Sequence, residues 1–382
     1  MSHAYAQRML SRRAPVLLLA PALVLALTGG PVSPAVGHTD EPSTSSPPAA
    51  SRGGTPIDSI GTVRTWQLPR VPGATHELAI AGDVVWVTQY TADRVLRMRV
   101  RPDGSLGPIR ELQMPPGSVA HGIDATRNFA WITLEMLDQL VRIDARGRIL
   151  RTIQLPAGTG PHAVMRAGDG SLWYAGKEGS VIGHVDTASG TVLQTWELPT
   201  ASLAIYLAEA PDGSIWFTEL VGSAVGRVKD GTLTTILIPD SSPGDASARP
   251  IAIDVARDGT VWFSTEAGNS IGQLPARIAA GPDAGLVPEA LRMTPLPIAD
   301  STGAGLTIAE DGTVWVQTTF PFGLVRYRDG KLRQFTIPSR PVRNAPRHPV
   351  PHRVHEAADG SLWFTDLAGD RLGRFTPQPE ST

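Results

Sequence analysis

The stretch Asp359-Gly360-Ser361-Leu362-Trp363 restates Asp169-Gly170-Ser171-Leu172-Trp173 and Asp212-Gly213-Ser214-Ile215-Trp216 almost letter for letter. Reading outward from it, the same setting recurs seven times, around Trp86, Trp131, Trp173, Trp216, Trp262, Trp315 and Trp363. A repeat of roughly 40–50 residues built from short alternating strands marks the blade of a β-propeller. Every copy keeps one order. A short apolar strand leads to a turn, often Asp-Gly, and then to the tryptophan strand. A loop follows, then a strand of the type Ile-Gly-Arg, and last a strand ending in Leu-Pro or Ile-Pro. Asp-Gly between two alternating runs is a strong hairpin signal, because both residues tolerate the left-handed backbone that a tight turn needs. The sequence therefore predicts an all-β fold, a seven-bladed β-propeller with four-stranded blades. The tryptophans are expected between neighbouring blades, where stacked sheets need wide apolar side chains.

The ends of the repeat array give an independent check. The last copy stops near Phe375, after its third strand. Ahead of the first copy lies Thr65-Trp66-Gln67-Leu68-Pro69, which aligns with Thr195-Trp196-Glu197-Leu198-Pro199, the outer strand of blade three. The N-terminal strand is thus expected to complete the last blade and close the ring, which protects the sheet edges. Other outer strands end at Met114-Pro115, Leu155-Pro156, Ile238-Pro239, Leu296-Pro297 and Ile337-Pro338, so the outer strands also number seven.

The regions outside the repeats read differently. Arg8, Arg12 and Arg13 precede an apolar run from Ala14 to Leu27, and small residues follow at Ala35-Val36-Gly37. Residues 1–37 are expected to be an export signal, with an apolar run too short for a good membrane span. Residues 38–58, rich in Ser, Pro, Thr and Gly, are expected to form a flexible leader, residues 59–376 the propeller and residues 377–382 a disordered tail. Cysteine is absent from all 382 residues, which excludes disulfides, thiolate chemistry and a lipid-attached N-terminal cysteine. A net charge of −2 gives no basic field for nucleic acid. The expectation is a secreted or extracytoplasmic monomer without a membrane span in its mature form, whose partner is a small-molecule or peptide ligand.

Function is sought where the copies differ. One slot opens the innermost strand, eleven residues before the tryptophan in blades three and seven and ten before it in blades one and two. It holds His162, His352, His76 and His121 there, against Ile205, Ile251 and Ala304 in blades four to six. Four of the chain's nine histidines occupy seven equivalent positions, and ring closure makes blades seven, one, two and three neighbours. The rings are therefore expected to share one side of one channel mouth. A second slot, three residues after the tryptophan, holds Gln89, Leu134, Gly176, Glu219, Thr265, Thr318 and Asp366. A hairpin folded at Asp359-Gly360 brings His352 and Asp366 close to cross-strand pairing. A histidine beside a carboxylate is either a general base with its orienting group or a pair of metal ligands. In that reading His352 and Asp366 are catalytic, Asp366 is also the candidate metal ligand, and His76, His121, His162 and Glu219 bind substrate. His348, His352, His355 and Glu356 are rich in ligand types, but strand alternation sends His352 and His355 to opposite faces.

The segments Gly160-Pro161-His162-Ala163-Val164, Trp216-Phe217-Thr218-Glu219 with Val225-Gly226-Arg227, and Trp363-Phe364-Thr365-Asp366 with Leu372-Gly373-Arg374 carry a family resemblance. Over roughly residues 60 to 376 the chain resembles the virginiamycin B lyase (streptogramin B lyase) family. The resemblance implies a seven-bladed propeller and a carbon–oxygen lyase that opens a cyclic depsipeptide ester by magnesium-dependent elimination. The family pattern places a histidine at the start of blade six, where this chain has Ala304. It places Glu-x-His at the start of blade seven, where this chain reads Val350-Pro351-His352, and a glutamate where Asp366 stands. His352 matches the general base, and Asp366 is the nearest counterpart of the glutamate. Two readings stay open. One is a lyase or hydrolase acting on an ester or lactone, with magnesium or another divalent ion as cofactor. The other is a propeller of the cell envelope that binds a small ligand or peptide without turning it over.

Overall fold

The asparagine-like turn chemistry of aspartate sets the local structure. Asp169 Oδ1 accepts the Ser171 N–H at 2.8 Å, and the same contact recurs from Asp359 to Ser361 at 3.0 Å. Gly170 follows at φ +87°, a left-handed position that closes the hairpin at little cost only for glycine. Blade three is then four antiparallel strands in sequence order, Pro161–Arg166, Leu172–Gly176, Val181–Val185 and Val192–Glu197. A computed structural model of the chain, describing residues 44–45, 55–57, 60–239, 247–337 and 351–378, repeats this sheet seven times. The export-signal residues 1–37, His348 and the tail beyond residue 378 lie outside the described residues. Within the described residues no helix is long and apolar enough to cross a membrane.

Closure occurs as the alignment requires. Gly61–Gln67 pairs antiparallel with Arg371–Pro377, setting Thr65 opposite Gly373 and Trp66 opposite Leu372. Blade three has the same register, with Thr195 opposite Gly183 and Trp196 opposite Ile182. Two segments of the Ser/Pro-rich leader also pair: Thr55–Ile57 with the closing strand, and Thr44–Ser45 with the outer strand of blade one, Ile109–Gln113.

The tryptophans pack between blades. Trp86 is fully buried with Ala130, Ile132 and Val141 of blade two, and its indole N–H donates to Thr126 O at 3.0 Å. Trp363 lies with Leu78, Val85 and Leu96 of blade one and stacks on Trp66, the rings 5.4 Å apart. Volume is matched within each blade as well. Tyr174, Phe217, Phe263 and Phe364 face Gly183, Gly226, Gly272 and Gly373 across the second and third strands. A Cβ on Gly226 would stand 2.0 Å from Phe217 Cζ, so the glycine of Ile-Gly-Arg exists to receive the ring. Where the second strand carries Val87, Ile132 or Val316 instead, the third carries Leu96, Val141 or Val325.

Candidate functional site

The innermost strand of every blade breaks register at one place. The shift falls between Thr75 and Leu78, Ala120 and Ile123, Pro161 and Ala163, Ala204 and Leu207, Pro250 and Ile253, Gly303 and Leu306, and Pro351 and Val354. A bulge of this kind re-aims side chains that strict alternation would send to opposite faces. A hydroxyl from the second strand braces it. Thr365 Oγ1 accepts the Arg353 N–H at 3.2 Å and donates to His76 O of blade one at 2.7 Å. Thr133 does the same between Gly122 N and His162 O, and Thr218 between Tyr206 N and Ile251 O. Each brace ties one bulge to the next around the axis.

The bulges of blades seven, one, two and three present the four histidines in one arc. Ring centroids are 3.6 Å apart for His352 and His76, 4.0 Å for His76 and His121, and 4.0 Å for His121 and His162. His121 and His162 meet backbone carbonyls of the following blade through Nδ1, at 3.2 Å to His162 O and 3.1 Å to Ile205 O. Burial depresses the pKa of all three of His76, His121 and His162, so each is neutral near pH 7.

The second residue of each bulge supplies what the first slot did not predict. Glu77, only 4% exposed, accepts hydrogen bonds from the Tyr206 hydroxyl and, at 2.8 Å, from His352 Nε2. The Arg353 guanidinium Nε lies 3.4 Å from its other oxygen and the same group covers the Tyr206 ring at 4.5 Å. Burial alone would raise the Glu77 pKa, but the His352 hydrogen bond, His352 charge and Arg353 charge outweigh it and bring the value to about 2. Tyr206 moves the other way, well above 10, through burial and the charge of Glu77. A further ring of residues stands four places after the tryptophan. Tyr90 lies 4.7 Å from His76 ring to ring, while Glu135 pairs with Lys177 and approaches His121 Nε2 at 3.9 Å.

A sequence model of the virginiamycin B lyase family matches residues 54–319. The chain belongs to the virginiamycin B lyase family. Solved structures similar in fold include a streptogramin B lyase, 21% identical, covering 84% of this chain and 98% of that one at a TM-score of 0.70. A catalytically inactive histidine-to-alanine variant of virginiamycin B lyase from Staphylococcus aureus, with quinupristin, is also 21% identical. It covers 82% of this chain and 99% of that one at 0.66. The propeller YCF48 bound to D1 peptide is 14% identical and covers 87% and 100% of the two chains at 0.60. No curated protein sequence matches the chain.

Within this virginiamycin B lyase family fold, the residues singled out from sequence divide into two groups. His76, His121, His162 and His352 come together. Asp366 stands opposite Pro351, and its carboxylate takes the Gly369 N–H at 3.2 Å and Arg371 Nε at 3.6 Å. The carboxylate that meets His352 is Glu77. Glu219 is buried beside Ser202; burial raises its pKa against the opposing effect of the Ser202 hydrogen bond, and none of its contacts among the described residues is to a mouth histidine. These second-slot side chains hold the local backbone instead: Gln89 donates to Pro69 O and Thr75 Oγ1 ahead of the inner strand and accepts Arg94 Nε–H at 2.7 Å beyond the following turn.

The magnesium that the family resemblance implies fits these donors poorly. Magnesium takes oxygen ligands in near-octahedral geometry, whereas the cluster of His76, Glu77 and His352 offers two imidazole nitrogens and one carboxylate, and the other carboxylate of the arc, Glu135, is paired with Lys177. The residues sequence reasoning missed are Glu77, Tyr206, Arg353, Glu135, Lys177 and Tyr90. Two positional signals mark them: the residue after the first slot and the residue after the second.

Proposed function

We propose that the chain is a lyase or hydrolase that opens an ester or lactone at the histidine-lined mouth, with His352 as general base. The observation that carries this reading is Glu77, a buried carboxylate shared between the Tyr206 hydroxyl and His352 Nε2. With its pKa near 2 it is ionised at neutral pH. An ionised carboxylate on one imidazole nitrogen fixes the proton there and stabilises the imidazolium that forms during base catalysis. The proton sits on Nε2 and leaves Nδ1 as the acceptor, and among the described residues no hydrogen bond engages Nδ1. Nδ1 takes a proton from carbon in an elimination or from water in a hydrolysis. Tyr206 keeps its proton at any working pH and serves as a donor. His121 and His162, held by backbone carbonyls, offer Nε2 as acceptors for the substrate. The Arg8, Arg12 and Arg13 cluster with its apolar run supports export of the protein.

A mass-spectrometric screen of cyclic depsipeptides and lactones tests this. Elimination leaves the opened product isomeric with its substrate, whereas hydrolysis adds one water. His352→Gln keeps an N–H donor for Glu77 but supplies no base, so turnover should vanish while the thermal midpoint holds. Undiminished turnover in that variant refutes the assignment. A second reading, a mouth that binds a ligand without turnover, is favoured by the ring packing at 3.6–4.0 Å, which restrains the imidazoles. Ligand capture without any change of mass would select it.

A further inference from the structure

Among the buried polar atoms of the mouth without a hydrogen-bond partner are Glu135 Oε2, Arg353 Nη1 and one imidazole nitrogen. His76 Nδ1 is inaccessible to solvent and has no hydrogen-bond partner, although the residue is only 7% exposed. An unpaired polar atom in such a place is destabilising unless something occupies its lone pair. It points at Glu77, with 3.6 Å between Nδ1 and Oε1, and Oε1 is 2.8 Å from His352 Nε2. All three atoms lie within 4.8 Å of one another.

We propose that His76 Nδ1, Glu77 and His352 Nε2 form a site for a borderline divalent transition ion of the zinc type, and that its occupancy switches off the base at His352. Two imidazoles and one carboxylate suit such ions, whereas magnesium calls for oxygen. Tetrahedral ligands about 2.1 Å from zinc stand about 3.4 Å apart, so shifts of roughly an ångström or less close the present triangle. The site is braced for the task. Thr365 holds the His76 carbonyl at 2.7 Å, Thr88 receives the Glu77 N–H at 3.0 Å, and the His121 ring packs on His76.

The switch follows from the tautomer. When the ion takes the Nε2 lone pair, the one proton of the neutral imidazole leaves Nε2 and is bound at Nδ1. One N–H bond breaks, one forms, and no co-reactant is consumed. Nδ1 then donates and no longer accepts, so the base assigned under the acid–base reading is lost. This second half rests on that reading, and the metal site itself does not.

The test is a titration of the chelator-treated full chain with Co²⁺ alone, read by visible d–d absorption without substrate. One equivalent should bind, and the band should be lost in His76→Ala and Glu77→Gln but kept in His184→Ala, which lies outside the channel against Trp173. Absence of a band in the wild-type chain, or an unchanged band in His76→Ala and Glu77→Gln, overturns the site. Wild-type competition guards against a variant that misfolds. Micromolar Zn²⁺ should displace the cobalt and millimolar Mg²⁺ should not, and equal displacement by magnesium also overturns it. With a turned-over substrate, one equivalent of Zn²⁺ should abolish the rate and chelation restore it. Zinc activation overturns the switch while leaving the site standing.

Discussion

Replacing Glu77 by glutamine keeps the shape of the side chain and removes one buried charge. Three groups depend on that charge: the Tyr206 hydroxyl, the His352 Nε2–H at 2.8 Å and the Arg353 guanidinium 3.4 Å away. The amide replaces one acceptor oxygen with an N–H₂ aimed at donors. It also strands Arg353, whose Nη1 already lacks a partner. Breaking a buried pair by removing one member costs about 3–5 kcal/mol. For a propeller of roughly 320 residues, unfolding entropy of about 2.1 cal/mol/K per residue converts that loss into a fall of about 4–8 °C. Differential scanning calorimetry at pH 7 after chelation reads the shift directly. Arg353→Met in the same background removes the stranded charge, so the double variant should lose less than the sum of the two single losses. A Glu77→Gln loss below about 1 kcal/mol, or additivity within about 0.5 kcal/mol, would refute the claim that this carboxylate anchors the mouth.

Other outcomes follow from the same contacts. Gly226→Val should cost about 1–3 kcal/mol by forcing its side chain into the Phe217 ring, and Phe217→Val should restore much of it, reproducing the Val316–Val325 pair of blade six; equal urea midpoints for the single and double variants would contradict this. Acid should unfold the protein early. Burial holds His76, His121, His162 and His355 below the ordinary 6.5, with His355 at about 3, aided by the Arg353 charge. The unfolded chain therefore binds more protons below pH 6.5, so stability is complete above that pH and declines as pH falls toward 3. One unit below 6.5 each group costs at most about 1.4 kcal/mol. Urea midpoints that match at pH 7.5 and pH 5.5 would exclude it.

The fold was legible because it is built from short-range rules repeated seven times. Asp-Gly makes the hairpin, and the tryptophan fills the gap to the next blade. Glycine opposite Phe364, Phe217, Phe263 or Tyr174 matches volume within one sheet. Even ring closure is a local statement, since Thr65-Trp66 copies Thr195-Trp196 down to its register on the third strand. The histidine arc was legible for the same reason: equivalent slots in adjacent blades must be neighbours in space.

What the sequence could not decide was which carboxylate meets His352. Hairpin geometry pointed to Asp366, fourteen positions along the same blade, whereas Glu77 is 275 residues away and reaches His352 only after the ring is closed. Strict alternation also sends Glu77 away from His76, and Arg353 away from His352. The bulge at the head of each inner strand undoes that alternation and turns two consecutive residues toward the axis. Periodicity along a strand is set by the backbone and can be read from residue order. The direction of a side chain at a bulge is set by the hydroxyl brace from the neighbouring strand and the carbonyl of the next blade, which exist only in the assembled ring.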